Sequence, residues 1–465
     1  MDRLIIAVSE TYDIVVTIPQ DGLAYEFLAT TEDRTQSASL FIGDGVKQLI
    51  SPLPRLKYFE GMKMMNDMMK MNGDLDDMGM KMSLNQMDMN VVMYPEITGD
   101  ATKKADHSKH EGMDMDNDAN RYNANALGDI KTLNYAMLQS PYNTSLPNDA
   151  PVKELKFTLT GNMNRYVWSM DNKILSETDK IPVKKGEILR ITIYNNSMMR
   201  HPMHLHGFDF RVINGKGEKS PLKNVLDIMP METDTIEFLA NEEGDWFFHC
   251  HILYHMMAGM NRVFEVGDYK NPYLPDKAKA YKELQRESNM PHFMIENDFA
   301  TNGNDGGAML QNARWSLGTE WRLGYNSMHG YEVETHLGRY IGKMQWFMPF
   351  VGFDYRYRKM GEDEHEKNIF GQTNKKDTRR AFSLGFMYTL PMLVNFQAEV
   401  YHDGIVRLQL MREDIPISKR LRGGFMVNTD LEYMGELRYI INKNIGIRTH
   451  YDSDMGFGVG LALTY

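Results

Sequence analysis

The sequence predicts an all-β protein: a β-sandwich followed by a small antiparallel β-barrel. Two observations predict it. Between residues 151 and 268, short β-branched and aromatic runs such as ELKFTLTG, ILRITIYNN, FDFRVING, DTIEFLA and RVFEVGD are separated by Gly, Asn and Asp, the punctuation of a sandwich. From residue 311 onward the segments are longer and alternate strictly, with aromatic or aliphatic residues on one face and charged or polar residues on the other.

Taken in order, the chain opens on Asp2, Arg3 and a short strand-like run, LIIAV, with no small-residue cleavage site of a secretory signal. Residues 46–150 change character. The stretch GMKMMNDMMKMNGDLDDMGMKMSLNQMDMNVVMYP is dominated by Met, Asp, Asn, Gly and Lys, lacks an apolar period, and reads as a flexible insert. Its thioethers are soft ligands that favour Cu(I), whereas the neighbouring carboxylates prefer harder ions. His107 and His110 read as solvated loop residues. Residues 151–268 form the sandwich, and 269–310 a linker whose DKAKAYKELQRESNM stretch favours helix.

Residues 311–465 carry the barrel pattern. In RWSLGTEWRLGY, Trp315, Leu317, Thr319, Trp321, Leu323 and Tyr325 share a face, opposite Arg314, Ser316, Glu320 and Arg322. The pattern recurs to the final GFGVGLALTY, giving about eight to ten segments near the ~10 residues of an outer-membrane strand, with aromatics toward lipid and charges inward. A soluble lipocalin-like barrel would alternate as well.

The bulk numbers exclude some functions. A 465-residue chain with 42% hydrophobic and 25% charged residues has room for two to four folded domains. Its net charge of -11 argues against a nucleic-acid partner and is compatible with cation handling. One cysteine permits no internal disulfide. No apolar run approaches the ~20 residues of a transmembrane helix.

That one cysteine sits in HCHILYHMMAGM, residues 249–260. If Phe247 to Ile252 is extended, Cys250 points one way while His249 and His251 point the other. On the cysteine side, a tight turn returns His255 and Met260 to the sulfur. A second imidazole would complete the trigonal His₂Cys set with a weak axial Met that suits an electron-transfer copper. HPMHLHGFDF, residues 201–210, supplies it: His204 and His206 share a strand face, while His201, placed before the strand beyond Pro202, is assigned to Cys250. The HLH pair then joins His249 and His251 in a second metal site. Trp246, Phe247 and Phe248 are expected to exclude water beside it.

HPMHLHG followed by GDWFFHCHILYHMMAGM resembles the C-terminal cupredoxin domain of multicopper oxidases, in their Met-rich copper-resistance branch. LTGNMNRYVWSMDN, residues 159–172, resembles the opening of that domain. The resemblance covers about residues 1–268. It implies a type 1 copper at His201, Cys250, His255 and Met260, type 2 copper at His204, and the type 3 pair at His206, His249 and His251. Residues 1–45 resemble the last strands of a middle cupredoxin domain. Relatives complete the trinuclear cluster with two further His-x-His motifs from an N-terminal cupredoxin domain, and this sequence has none beyond 204/206 and 249/251. Type 1 is thus expected complete, types 2 and 3 as half-sites, with the N-terminal copper domain missing and the chain alone inactive.

By resemblance, electrons from the substrate pass along His249, Cys250 and His251 to the cluster, where O₂ is reduced to water. Cu(I) is the first expected substrate and a phenol the second. Where some relatives carry an acidic residue in the HCHxxxH loop, this chain has Tyr254, so proton supply is unassigned. The final segments look broadly like the outer-membrane barrel partner of such oxidases, implying a periplasmic and outer-membrane setting. The competing expectations are a copper-sequestering outer-membrane protein without turnover and a membrane-anchored structural module.

Overall fold

The computed structural model describes residues 3–50, 82–86, 132–162, 165, 167–359, 367–373 and 378–465. Most of the Met-rich insert, with His107 and His110, lies outside the described residues. Near the start of the chain, Leu23–Thr30 (β1) pairs antiparallel with Ser37–Ile42 (β2) and parallel with Val46–Gln48 (β3). This small sheet leaves Phe27, Leu40 and Val46 exposed.

The sandwich follows. One sheet contains Val152–Asn162 (β4), Val167–Met170 (β5), Ile188–Asn195 (β7), Phe210–Val212 (β9), Leu222–Lys223 (β10) and Thr233–Leu239 (β12), in the order β10-β9-β12-β7-β4-β5. The other contains Ile181–Val183 (β6), His201–Leu205 (β8), Val225–Ile228 (β11), Gly244–Cys250 (β13) and Asn261–Val266 (β14), in the order β11-β8-β13-β14-β6. Period-two patterning drives the packing. In β7, Leu189, Ile191 and Ile193 point into the core, while Arg190 points out and donates to Glu237 of β12 at 2.6 Å. The inward faces meet in one cluster that includes Phe157, Phe210, Phe238, Phe248 and Phe264.

A one-turn helix, Leu253–Met257 (α1), joins β13 to β14. The linker forms the expected helix, Lys277–Glu287 (α2), whose N-terminus is capped by the Asp276 carboxylate accepting from the Lys279 amide. Tyr281 and Gln285 of α2 both donate to the Thr178 carbonyl, holding the helix on the sandwich. None of the described helices is long and apolar enough to cross a membrane, which has no bearing on the strands.

The final domain is a closed antiparallel barrel of twelve strands, from His292–Ala300 (β15) to Gly456–Thr464 (β26), sealed by β15 pairing with β26. Two expectations are corrected here. The strands outnumber the eight to ten counted from the sequence, and the barrel begins at His292, inside the span 269–310 read as linker. The missed strands include β15 and Gly303–Gln311 (β16), whose glycines, asparagines and aspartates hide the alternation. Between them and the end lie Trp315–Gly324 (β17), Tyr331–Arg339 (β18), Phe347–Tyr357 (β19), Thr378–Thr389 (β20), Asn395–Tyr401 (β21), Val406–Pro416 (β22), Leu421–Asn428 (β23), Tyr433–Ile440 (β24) and Ile445–Asp452 (β25).

The barrel is inverted in polarity relative to a soluble one. In β20, Phe382 and Leu384 face outward, 68% and 67% exposed, whereas Arg379, Ala381 and Ser383 are buried. The interior holds ion pairs such as Arg407 with Glu334 and Arg356 with Glu432. A lipocalin-type interior would be apolar instead.

The sandwich sits against one rim of the barrel. Arg165 stacks over Tyr340 with its guanidinium 3.2 Å from the ring centre, and donates to Gln345 and to the carbonyls of Asn312 and Ala313. Arg314 of the β16–β17 turn pairs with Glu177 at 2.7 Å, and Met231 packs with Met344 and Trp346.

Candidate metal centre

Two neighbouring strands build the site. β8 runs antiparallel to β13 with His204 opposite His249 and Met203 opposite Cys250, so alternation sends the odd residues of β8 and Cys250 to one side, and His204 and His249 to the other. His201 is the first residue of β8 rather than a residue ahead of it, and reaches the cysteine side by parity, not by the break at Pro202. β13 ends at Cys250, and the short helix α1 returns His255 to the same side.

On that side, Cys250 Sγ lies 3.6 Å from His201 Nδ1 and 3.5 Å from His255 Nδ1, and the two nitrogens are 3.1 Å apart. A point equidistant from the three lies about 2.0 Å from each, the circumradius of that triangle and close to metal–imidazole bond lengths of ~2.0–2.1 Å. All three residues are at most 1% exposed. Met260 is fully buried beside them: its carbonyl accepts from the Cys250 amide and its amide donates to the His255 carbonyl. Burial pushes the Cys250 thiol up and holds His201 well below the usual imidazole range; burial also holds His255 at about 4. The imidazoles are therefore neutral donors at pH 7, whereas the thiolate needs a cation to form.

Three residues that the sequence reading did not single out shape this pocket. Trp168 stacks on His255 with ring centres 4.0 Å apart and meets His201 edge-on at 5.3 Å. Ser197 Oγ lies 2.7 Å from His201 Nε2 and donates to Asn195 Oδ1 at 2.8 Å. Asn195 in turn donates to the Met199 and Ile228 carbonyls. The sequence carried only a weak hint of them, a tryptophan inside the quoted LTGNMNRYVWSMDN and a serine four residues before His201.

The opposite face gathers four imidazoles. His204, His206 and His249 offer ring nitrogens within 4.8 Å of one another. His251 lies 5.4 Å, ring to ring, from both His204 and His249. His249 Nδ1 is bonded to the Cys250 carbonyl and His204 Nδ1 to the Asn224 carbonyl, which leaves each Nε2 free to ligate; His206 Nε2 faces His249 Nε2 at 3.1 Å. Burial lowers His249 to about 4, and burial with the charges of His204 and His251 lowers His206. Ser9 closes on His251 Nδ1 at 3.2 Å.

Of the three expected water-excluding aromatics, Phe247 lies over the histidine face, 4.9 Å from His249, and Phe248 fills the core with Phe157. Trp246 sits instead over Gly207, next to Phe208.

Residues 149–270, the cupredoxin-like sandwich that carries the buried Cys-His-His triangle and the four-histidine face, match the multicopper oxidase family. The chain is similar to Copper resistance protein A of Escherichia coli, 32% identical over 301 residues covering 57% of this chain and 49% of that one. It is also similar to a Copper resistance protein A homolog of Pseudomonas syringae pv. tomato, 31% identical over 300 residues covering 57% and 48%. Multicopper oxidase MmcO of Mycobacterium tuberculosis is 32% identical over 124 residues, 27% of this chain and 25% of that one. The chain spans about half the length of the first two relatives.

Proposed function

We propose that this chain is the C-terminal part of a copper-resistance oxidase that oxidises Cu(I) with O₂ as acceptor, carried on an outer-membrane barrel. The observation that carries the reading is the back-to-back arrangement: one tripeptide, His249-Cys250-His251, belongs to both metal-binding faces and joins them through covalent bonds. His201, Cys250, His255 and Met260 would hold the type 1 copper, His204 the type 2, and His206, His249 and His251 the type 3 pair. Bound copper would supply one-electron transfer and oxygen reduction. The chain's own residues do the rest. Trp168 and Phe248 exclude water from the cysteine side, Ser197 fixes the His201 ring, and the Asn224 and Cys250 carbonyls orient His204 and His249.

The four-histidine face supports a half-cluster, because the sequence offers no third or fourth His-x-His motif. A domain outside these 465 residues would supply the rest, and exposed Phe27, Leu40 and Val46 on the small sheet suit contact with it. The Met-rich stretch would gather Cu(I), whose thioether affinity favours it over a phenol as substrate. The apolar exterior of the barrel supports insertion in a bilayer. Since the sandwich packs at one rim, it would lie in the periplasm. The half-cluster equally favours a second reading, copper sequestration without turnover.

Oxygen uptake separates the two. The 465-residue chain loaded with copper is expected to develop the intense red-light absorption of a thiolate-bound cupric ion and to consume no O₂ with Cu(I) until the complementary domain is added. Cys250→Ser should abolish the colour. Colour that survives this substitution would remove the basis of the assignment, and a complemented complex with no oxygen uptake would favour sequestration.

A further inference from the structure

At the end of the barrel away from the sandwich, Asp305 of β16 and His450 and Asp452 of β25 converge below the β15–β16 and β25–β26 turns. Each offers one donor atom, and the three donors lie within 4.8 Å of one another. All three are buried, at 7%, 3% and 1% exposure. Their hydrogen bonding is incomplete. Both oxygens of Asp305, Asp452 Oδ2 and His450 Nδ1 have no hydrogen-bond partner, nor does Oδ1 of the adjacent Asn302, whose amide nitrogen lies 3.1 Å from His450 Nε2.

A buried carboxylate without a single hydrogen bond is costly unless a cation sits against it. The nearest cation is a poor match: Arg322 Nε is 3.9 Å from Asp452 Oδ2 and is shared with Glu332 at 4.0 Å. His450 Nε2 lies 3.6 Å from Asp305 Oδ2, so ring and carboxylate face the same point without bonding well. The remaining Asp452 oxygen is fixed by the Asp454 and Met455 amides at 2.8 and 2.6 Å, which holds Oδ2 in place. A small cavity at this end of the barrel is lined by Arg322, which faces Asp452, and by His329, Asp454 and Met455.

We propose that Asp305, His450 and Asp452 form a binding site for a divalent first-row transition metal. Two carboxylates suit a divalent rather than a cuprous ion, and the imidazole disfavours calcium and magnesium. Among divalent ions of this row the affinity order places Cu(II) first. The site shares no residue with the sandwich centre and stands or falls independently of it.

Titration of the full chain with Cu(II), followed by electron paramagnetic resonance, tests the proposal. The wild type should show a signal with hyperfine coupling to one nitrogen, distinct from the thiolate centre and from the many-nitrogen histidine face. Asp305→Asn/Asp452→Asn and, separately, His450→Gln should each lose that signal and one copper equivalent while keeping the Cys250 colour, which reports that the chain has folded. A wild type without the one-nitrogen signal, or variants that retain it, would overturn the proposal. Absent colour with the one-nitrogen signal present would instead count against the sandwich assignment alone.

Discussion

Ser197→Ala probes how the cysteine-side site is held open for metal. The Ser197 hydroxyl hydrogen has acceptors in Asn195 Oδ1 at 2.8 Å and the Met199 carbonyl at 3.2 Å, which leaves its lone pair for the Nε2 hydrogen of His201 at 2.7 Å in the tautomer that a metal at Nδ1 requires. That bond fixes the tautomer with a bare Nδ1, the nitrogen aimed at Cys250 and His255. Alanine leaves a buried N–H without an acceptor, a penalty of about 1–3 kcal/mol, and lets the proton move to Nδ1, where metal must displace it. At 1.4 kcal/mol per decade this corresponds to roughly 10- to 100-fold weaker copper binding, the range seen when such supporting bonds are removed. The assay is competition for Cu(II) with a chelator of known affinity, read by the thiolate colour. Because Cys250, His201 and His255 remain, the band should keep its position while its midpoint shifts. Affinity within about threefold of wild type would show that the hydroxyl does not set the ring, and the tautomer argument would fail.

Three other expectations follow from named contacts. His249 and His255 are held at about 4 against 6.5 in the unfolded chain, mainly by burial, so the metal-free fold binds fewer protons than the unfolded chain between those values. Its stability should be complete above pH 6.5 and decline as pH falls toward 4, by at most about 3 kcal/mol per residue; urea midpoints of the metal-free protein that do not fall across this window would contradict it. Gly207→Ala places a Cβ 2.3 Å from the Trp246 ring at a φ of +79°, and should cost about 2–4 kcal/mol, read as a lower denaturation midpoint; an unchanged midpoint would refute the contact. Leu384→Arg, on the outward face of β20, should cost about 2–4 kcal/mol in a bilayer and reduce folding into vesicles, whereas a water-exposed position would tolerate it.

The faces of the copper-type motifs were legible because a strand's period of two is rigid: once Cys250 points inward, His249 and His251 cannot. His201 needed the same rule, since β8 begins on it. Ser197 was not legible, because its bond to His201 depends on the path of residues 196–200, which no periodicity encodes. The first two barrel strands were hidden for a different reason. Gly306 of β16 is not a turn residue; its missing side chain makes room for Trp321, whose ring would lie 2.6 Å from a Cβ there. A glycine that accommodates a neighbouring strand looks, in sequence, like one that breaks a strand. Pairing with β26, more than 150 residues away, imposes what the local pattern leaves open. The long-range charge pairs inside the barrel, such as Asp298 with Arg448, were unreadable for the same reason.

Those interior charges also bear on what the barrel does. Arg356 of β19 bonds Asp354 on its own strand, Glu332 and Glu334 of β18, and Glu432 of the β23–β24 turn, while Arg407 of β22 pairs with Glu334 and Glu399. Two of these contacts, Arg356 with Glu432 and Arg407 with Glu334, join elements that are not neighbours and so cross the interior. Removing one partner would strand a buried charge at a cost of about 3–5 kcal/mol, so the braces resist being opened one at a time. A lumen tied in this way is better suited to a rigid support for the sandwich than to passing bulky solutes. The contacts at the sandwich rim agree: Arg165 reaches both the β16–β17 and β18–β19 turns, so the barrel holds the sandwich through two loops at once. A metal ion at Asp305, His450 and Asp452 would join β16 to β25 across β15 and β26, adding a further brace at the same end of the barrel as the Arg356 contacts with Glu332 and Glu432.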